Sequence, residues 1–157
     1  MALADLIPDG GAAVDFGASS RKQVLQAMSE TAAHATGLNP RTIFEAVLQR
    51  ERLGSTGVGQ GVAIPHARLA GINTVTGFFM RLRSPVDFES IDGQPADLIF
   101  LLLAPEDAGA EHEERICLIL TNMTSLQLHQ HDIFTTLPTW ETILPILKGL
   151  SVYLQPY

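Results

Sequence analysis

The stretch NPRTIFEAVLQRERLGSTGVGQGVAIPHAR, residues 39–68, changes its hydrophobic period halfway along, and this change decides the class of fold. Asn39 is suited to be an N-cap, Pro40 a first helical residue and Gly54 a stop signal. Between them the apolar residues recur at the spacing of an amphipathic helix, namely Ile43, Phe44, Val47 and Leu48. After Gly54 the chain becomes rich in glycine and then β-branched, which predicts a loop leading into a short strand. A helix followed by a strand in this way predicts an α/β protein.

The sequence before this stretch predicts another helix, from Ser19 to Thr36. Ser19 or Ser20 can act as its N-cap, and Gly37 ends it. Its apolar residues again follow helical spacing, namely Val24, Leu25, Met28, Ala32 and Ala35. Two consecutive helices are therefore predicted ahead of the first strand.

The sequence after this stretch predicts strands separated by turns. INTVTGFFMRL, residues 72–82, alternates well enough for a strand, and the dipeptide Ser84-Pro85 predicts a turn after it. PVDF, residues 85–88, is a candidate for a further short strand, and DGQP, residues 92–95, predicts another turn. These segments add strands to the predicted sheet.

The most apolar segment of the chain is ADLIFLLLAP, residues 96–105. Because it is continuously apolar and ends in proline, it predicts a strand that is buried on both faces. A helix is expected to begin near residues 109–113, after this strand. Residues 1–157 are therefore predicted to form a single α/β domain with a mixed β-sheet flanked by helices.

The composition is that of an ordinary globular protein: 157 residues, 46% hydrophobic, 17% charged, with a formal net charge of −7. Basic residues are few and scattered, so no nucleic-acid partner is expected. The single cysteine, Cys117, excludes an internal disulfide and is best explained as a small buried apolar residue. No signal peptide is recognisable, and the apolar run at residues 98–105 is too short to cross a bilayer, so a cytoplasmic protein without membrane insertion is expected.

The glycine-rich segment GVGQG, residues 57–61, does not have the form of a nucleotide-binding loop. A dinucleotide fingerprint follows a strand and opens a helix, whereas this segment follows a helix and precedes a strand. The chain also has neither a G-K-[ST] sequence nor a G-x-S-x-G elbow. A metal- or nucleotide-dependent enzyme is therefore disfavoured, and no cofactor is expected.

His66 can be a structural histidine or a displayed reactive one. Pro65 restricts its own φ and keeps Ile64 extended, so the backbone that enters His66 is stiff. Ser55 and Thr56 place hydroxyl groups nearby in sequence, and glycine lets backbone N–H groups approach a small anion. Imidazole is mostly unprotonated at neutral pH, so a rigidly held ring beside such donors suits a phosphoryl acceptor.

The segment RERLGSTGVGQGVAIPHAR, residues 50–68, resembles the active-site segment of the IIA proteins of the bacterial phosphoenolpyruvate-dependent phosphotransferase system. Within the fructose, mannitol and nitrogen-regulatory group it is most similar to the nitrogen-regulatory branch. FESIDGQPADLIFLLLAPEDAGAEH, residues 88–112, resembles the next strand of the same family and the approach to its second active-site histidine. The resemblance extends over about residues 3 to 112.

The resemblance implies that His66 accepts a phosphoryl group from the phosphohistidine of a small carrier, HPr or its nitrogen-branch counterpart NPr. It also implies that His112 and Arg50 belong to the active site. Such a transfer depends mainly on positioning and charge stabilisation. Further stabilising donors are expected from the hydroxyl groups of Ser55 and Thr56 and from the backbone N–H groups around Gly59 and Gln60.

Structural explanations stand beside several of these roles. Arg50 is favourable near a helix C-terminus through the helix dipole alone, and His112 can be a solvated residue in the first turn of an acidic helix. His129 and His131 are two residues apart without a placed third ligand, which is weak evidence for a metal, so no metal site is expected. From residue 113 onward the composition departs abruptly from the family pattern, either by divergence or through an altered reading frame.

The expected function is that of a regulator that signals by its phosphorylation state, with targets such as transporters or sensor kinases. The length and the nitrogen-type motif favour regulation over transport, since no permease segment is attached. Two alternatives remain open: a sugar-specific IIA component that donates to a IIB domain, and a non-catalytic regulatory binding protein.

Overall fold

The computed structural model of the protein describes residues 7–107. This part of the chain forms two helices and a six-stranded mixed sheet, which agrees with the predicted α/β class. In chain order the elements are β1 (Ala12–Phe16), α1 (Arg21–Thr36), α2 (Pro40–Leu53), β2 (Gly57–Gly59), β3 (Val62–Ala63), β4 (His66–Leu69), β5 (Thr76–Val86) and β6 (Ala96–Pro105). The helix predicted near residues 109–113 and all of residues 113–157 lie outside the described residues.

Both helices begin and end where the sequence predicted. The Ser20 side chain accepts a hydrogen bond from the Gln23 N–H, and Gly37 ends α1 with a φ of 75° in the left-handed region. In α2 the Asn39 side chain accepts from the Arg41 N–H, and Pro40 is the first helical residue. The caps therefore determine where α2 ends, and with it the positions of the residues in its last turn.

Strand β6 lies inside the sheet. It pairs antiparallel with β5 along one edge and parallel with β3 and then β4 along the other. The whole order is β1-β5-β6-β3-β2, with β4 also paired to β6. Every residue of β6 except Asp97 is buried, so the prediction of a strand buried on both faces is confirmed.

Strands β3 and β4 follow one another along the same edge of β6 without a change of register. Val62 pairs with Leu98 and His66 pairs with Leu102, so both pairings join residues 36 positions apart (98 − 62 and 102 − 66). The Leu102 N–H donates to the Pro65 carbonyl in the gap between the two strands, at 3.0 Å. The backbone of His66 is therefore fixed by the most buried strand of the sheet.

The glycine-rich segment folds as a hairpin, which the sequence predicted only as a loop before a strand. We call residues 57–63 the glycine hairpin: β2 and β3 pair antiparallel across a turn at Gln60 and Gly61. Both turn residues take a positive φ, 55° and 87°. This is the combination that a two-residue type I′ turn requires, which explains the glycine at 61.

Two expectations about the strands were wrong. Ser84-Pro85 does not make a turn, because β5 continues through both residues to Val86. Proline has no N–H to donate, and the register between β5 and β6 shifts between Arg81 and Val86, so the strand accommodates Pro85 at an irregularity. Strand β1 was also not expected ahead of the two helices, although the later turn is present at Ile91 and Asp92.

Helices α1 and α2 pack on each other and on the sheet, α1 against β5 and α2 against β4. The core between them consists of apolar side chains from both layers, including Val24, Leu25, Met28, Ile43, Val47, Ala67, Phe78, Met80, Ile99 and Leu101. The contact of α2 with β4 matters for function, because it brings the last turn of α2 to His66.

Candidate active site

Arg50 and His66 are in direct contact. Arg50 lies in the last turn of α2, and His66 is the first residue of β4. The Arg50 Nε–H donates to Nε2 of the imidazole at 3.2 Å, while the Arg50 Nη1 group donates to the Gly54 carbonyl at 2.8 Å. Arg50 therefore binds a carbonyl at the end of its helix and also contacts the candidate acceptor, while its role in phosphoryl transfer stays a prediction.

The partners of the imidazole define its tautomer. Nδ1 lies 3.0 Å from the Ile64 carbonyl oxygen, which can only accept, so Nδ1 carries the proton. Nε2 faces the Arg50 guanidinium, which can only donate, so Nε2 carries a lone pair. The ring is thus held with its nucleophilic nitrogen toward a positive charge.

The surroundings of His66 favour the neutral ring. Burial lowers the pKa of His66 below the ordinary 6.5, and the charges of Arg50 and Arg68 act in the same direction. The hydrogen bond to Ile64 and the charge of Glu51 oppose the shift without reversing it. At neutral pH the imidazole is therefore unprotonated at Nε2, as a nucleophile has to be.

Glu51 is a buried carboxylate beside this pair that sequence reasoning did not single out. Its Oε2 accepts from the Thr56 hydroxyl at 2.6 Å, and its Oε1 accepts from the Thr56 N–H at 3.1 Å. Arg21 of α1 approaches Oε1 to 3.5 Å. The sequence did contain a signal for this residue. Glu51 follows Ile43 and Val47 at a spacing of four residues, so an acidic residue occupies the buried face of α2.

Ser55 and Thr56 lie between α2 and the glycine hairpin, with their donors already engaged. The Ser55 hydroxyl donates to the Phe88 carbonyl and accepts from the Gly57 N–H. Both donors of Thr56 are directed at Glu51. Their expected role toward a phosphoryl group stays a prediction, and in this structure the two residues anchor the start of the hairpin.

Gly59 and Gln60 lie at the far end of the hairpin, next to Asp92. The Gln60 N–H donates to Asp92 Oδ2 at 2.7 Å, and a methyl group at Gly59 would lie 3.0 Å from the same oxygen. The hydrogen bonds from the Gln60 and Gln94 N–H groups lower the pKa of Asp92. The turn thus binds a carboxylate of the protein itself, and the expected role of its backbone N–H groups toward a phosphoryl group stays a prediction.

The structure brings together Arg50 and His66, with Ser55 and Thr56 in the loop that follows Arg50. His112, His129 and His131 lie outside the described residues, so their predicted roles stay predictions. Within residues 7–107 no group of three or more histidine, cysteine, aspartate or glutamate side chains is arranged to hold a metal ion. In the same range, no helix has the length and hydropathy needed to cross a membrane.

This fold is that of a phosphotransferase-system component. The chain matches the family described as "Phosphoenolpyruvate-dependent sugar phosphotransferase system, EIIA 2" over residues 9–135, and it belongs to that family. Proteins of this family are phosphotransferase components that interact with phosphocarriers and IIB domains.

Within the family the chain is similar to nitrogen regulatory proteins, which confirms the resemblance drawn from the sequence. It is 52% identical to the nitrogen regulatory protein of Bradyrhizobium diazoefficiens over 112 residues, which cover 71% of this chain and 73% of that protein. It is 36% identical to the protein of that name from Pseudomonas aeruginosa over 150 residues, which cover 95% and 96%. The crystal structure of nitrogen regulatory protein IIA-Ntr from Neisseria meningitidis superposes with a TM-score of 0.83 at 36% identity, covering 92% of this chain and 98% of that one.

Proposed function

We propose that the protein accepts a phosphoryl group on Nε2 of His66 from the phosphohistidine of an HPr-like carrier, NPr, and acts as a phosphorylation-dependent regulator. The observation that carries this proposal is the pair of contacts on the imidazole. The Ile64 carbonyl accepts a hydrogen bond from Nδ1–H, and the Arg50 Nε–H donates to the lone pair at Nε2. Together they present one defined nitrogen of a neutral ring to an incoming electrophile.

The transfer exchanges one phosphorus–nitrogen bond for another. The Nε2 lone pair attacks the phosphorus atom of the carrier's phosphohistidine, the bond between phosphorus and the carrier nitrogen breaks, and that nitrogen recovers its lone pair. The carrier's phosphohistidine reacts with its other ring nitrogen protonated, so it leaves as neutral imidazole. His66 keeps its Nδ1 proton and becomes a phosphorylated imidazolium, so protons and charge balance without an oxidant. The protein contributes orientation and charge stabilisation, which are the main requirements of phosphoryl transfer.

Arg50 has to change its hydrogen-bond acceptor during this reaction. Its Nε–H now occupies the lone pair that forms the new bond, so the guanidinium must release Nε2 and bind the phosphoryl oxygens instead. We assign a similar stabilising role to His112. Ser55, Thr56, Gly59 and Gln60 remain candidates for further donors. For Ser55, Thr56 and Gln60 this role costs a hydrogen bond that each now makes.

The regulatory part of the proposal rests on similarity to nitrogen regulatory proteins and on charge. A phosphoryl group adds up to two negative charges and three acceptor oxygens to a half-buried position beside two arginines. Such a change alters which proteins can dock on this face. The partners proposed are the carrier NPr and cytoplasmic targets such as transporters or sensor kinases.

The test is the intact mass of the protein after incubation with phosphoenolpyruvate, Enzyme I and NPr. The unaltered protein is expected to gain one acid-labile phosphoryl group, and His66→Ala is expected to gain none. His34→Ala is the matched control, because His34 is an exposed histidine on α1 and its variant should be phosphorylated normally. Failure of the unaltered, folded protein to gain mass would contradict the proposal and favour a non-catalytic binding role.

One observation favours a second candidate, since the family is described as a sugar phosphotransferase component. In that case the protein would pass its phosphoryl group to a IIB domain. Mixing the purified phosphorylated protein with fructose- and mannitol-type IIB domains separates the two functions. Transfer of mass to a IIB domain would establish the sugar branch, and retention on His66 supports the regulatory role.

A further inference from the structure

The inference concerns Glu51, whose carboxylate lies inside the protein with 1% of the side chain exposed. A carboxylate removed from water is costly unless it is hydrogen-bonded. Glu51 satisfies this requirement almost entirely through one residue, because Thr56 gives it both the backbone N–H and the hydroxyl. The only other donor the structure assigns to it within residues 7–107 is Arg21, at a longer 3.5 Å.

Thr56 is in turn connected to the imidazole. Its carbonyl accepts from the Ile64 N–H at 2.9 Å. The Ile64 carbonyl accepts from Nδ1–H of His66 at 3.0 Å. The carboxylate of Glu51 is therefore joined to the ring of His66 by a continuous series of hydrogen-bonded residues that crosses from α2 to β4.

We propose that Glu51 is a positioning residue, which fixes the tautomer and orientation of the His66 ring through Thr56 and Ile64. Its importance for phosphoryl transfer rests on the function proposed above. Glu51 and Arg50 are consecutive residues in the last turn of α2, and they act on opposite nitrogens of the ring. Arg50 contacts Nε2 directly, and Glu51 acts on the Nδ1 side through two intermediates.

The link is mechanical rather than electronic. The N–H and C=O of Thr56 belong to different peptide groups, as do those of Ile64, so no single chain of polarised amides connects the carboxylate to the ring. Glu51 instead holds Thr56, and with it the carbonyl that holds the Ile64 peptide in place. The same carboxylate also acts through space, since its charge raises the pKa of His66 against the effect of burial.

Two pairs of variants test the mechanical and the electrostatic parts. Thr56→Val removes the hydroxyl donor and keeps the shape, whereas Thr56→Ser keeps the donor. Glu51→Gln removes the charge but can still bind Thr56, with the hydroxyl acting as acceptor. Glu45→Gln is the control for the last change, because Glu45 lies on the exposed face of α2 and pairs with Arg41.

The readouts are the nitrogen chemical shifts of the His66 ring, its pKa by NMR titration, and the rate of phosphorylation by NPr. Thr56→Val should convert the single Nδ1–H tautomer into a mixture and slow phosphorylation by about 10- to 100-fold, as a ring misplaced by about 1 Å would. Thr56→Ser should retain the single Nδ1–H tautomer and the normal rate of phosphorylation. Glu51→Gln should lower the pKa of His66 further, and Glu45→Gln should not.

A folded Thr56→Val protein with an unchanged tautomer and an unchanged rate would overturn the proposal and leave Glu51 as a structural residue only. If Glu51→Gln does not fold, the two Thr56 variants still decide the outcome. Failure of the proposed function is distinguishable, because it would show as no phosphorylation of the unaltered protein. The ring shifts and the pKa need no phosphoryl donor, so they would still report on positioning.

Discussion

Strand β6 and the glycine hairpin belong to the same sheet but are held in it by different forces. β6 is fixed by burial: its side chains are apolar on both faces, and all but Asp97 are buried. The hairpin has few side chains to bury, and two carboxylates hold it: Asp92 binds its turn through Gln60, and Glu51 binds Thr56, the residue just before it. A rigid apolar support and a polar, anchored loop thus meet at His66, which follows the hairpin and pairs with β6.

The comparison predicts the largest loss of stability in β6. Leu101→Ala should lower the free energy of unfolding by about 2 to 5 kcal/mol, because Leu101 is fully buried and the truncation leaves a cavity. Urea denaturation followed by circular dichroism measures the change. Leu53→Ala is the control, since Leu53 is 82% exposed and its truncation should change stability by no more than about 0.5 kcal/mol. Equal effects of the two changes would contradict the burial argument.

A smaller loss is predicted in the hairpin. A methyl group at Gly57 would overlap the Ser90 hydroxyl, so Gly57→Ala should cost about 1 to 3 kcal/mol of stability through overpacking. Ser90→Ala should restore much of this loss in the double variant, and alone it should be neutral or stabilising. The reason is that the buried Ser90 hydroxyl has no hydrogen-bond partner within residues 7–107.

Thermal denaturation of the two single variants and the double variant measures their coupling. Gly54→Ala is the matched control, because an added methyl group there meets nothing within 4 Å. Additive effects of Gly57→Ala and Ser90→Ala would show that the two positions do not touch.

A local, pH-dependent effect is predicted at the hairpin turn. The pKa of Asp92 is lowered in the folded protein, so its contribution is complete above the ordinary aspartate pKa and is lost as the pH falls through the lower, folded value. Acidification should therefore release the Gln60 and Gln94 amides, and Asp92→Ala should release them at neutral pH. Amide NMR shifts and hydrogen exchange measure this release. Asp15→Asn, which alters a contact with Arg83, should leave both amides unchanged.

The smallest structural effect is predicted at the ring itself. Arg50→Gln should raise the pKa of His66, because the positive charge of Arg50 is one of the causes that lower it. Burial, which is the larger cause, is unaffected, so the pKa should stay below the ordinary histidine value. NMR titration of the His66 ring in the variant and in the unaltered protein measures the two pKa values. A pKa that does not move in this variant would show that the guanidinium does not act on the imidazole.

The same contrast explains which parts of the fold were predictable. Both helices and β6 follow from caps and hydrophobic period, because local sequence determines them. β1 escaped prediction: its five residues include Asp15 with a positive φ, and its register on β5 shifts, so no clear alternation marks it. The prediction of a turn at Ser84-Pro85 was wrong for the opposite reason. The dipeptide is a local turn signal, but it lies within β5, which pairs with β6 as far as Val86.

The site was predictable only as far as its residue types. His66 and Arg50 were chosen from sequence, and the contact between them required α2 to end against β4. Three of the donors expected to face a phosphoryl group now bind the Phe88 carbonyl, Glu51 and Asp92, and their role toward a phosphoryl group stays a prediction. Asp92 is separated from Gln60 by 32 residues, and no local pattern reports a partner at that distance.

The unbroken register of β3 and β4 along β6 limits how this segment can vary in length. A strand turns its side chains to alternate faces, so inserting or deleting one residue between Val62 and His66 would move the imidazole to the opposite face of the sheet. An insertion between the exposed residues Asn73 and Thr74, in the loop between β4 and β5, leaves the register of His66 intact. Changes in length are therefore forbidden on one side of the histidine and tolerated on the other, and a library of single-residue insertions across residues 57–75 would display this boundary.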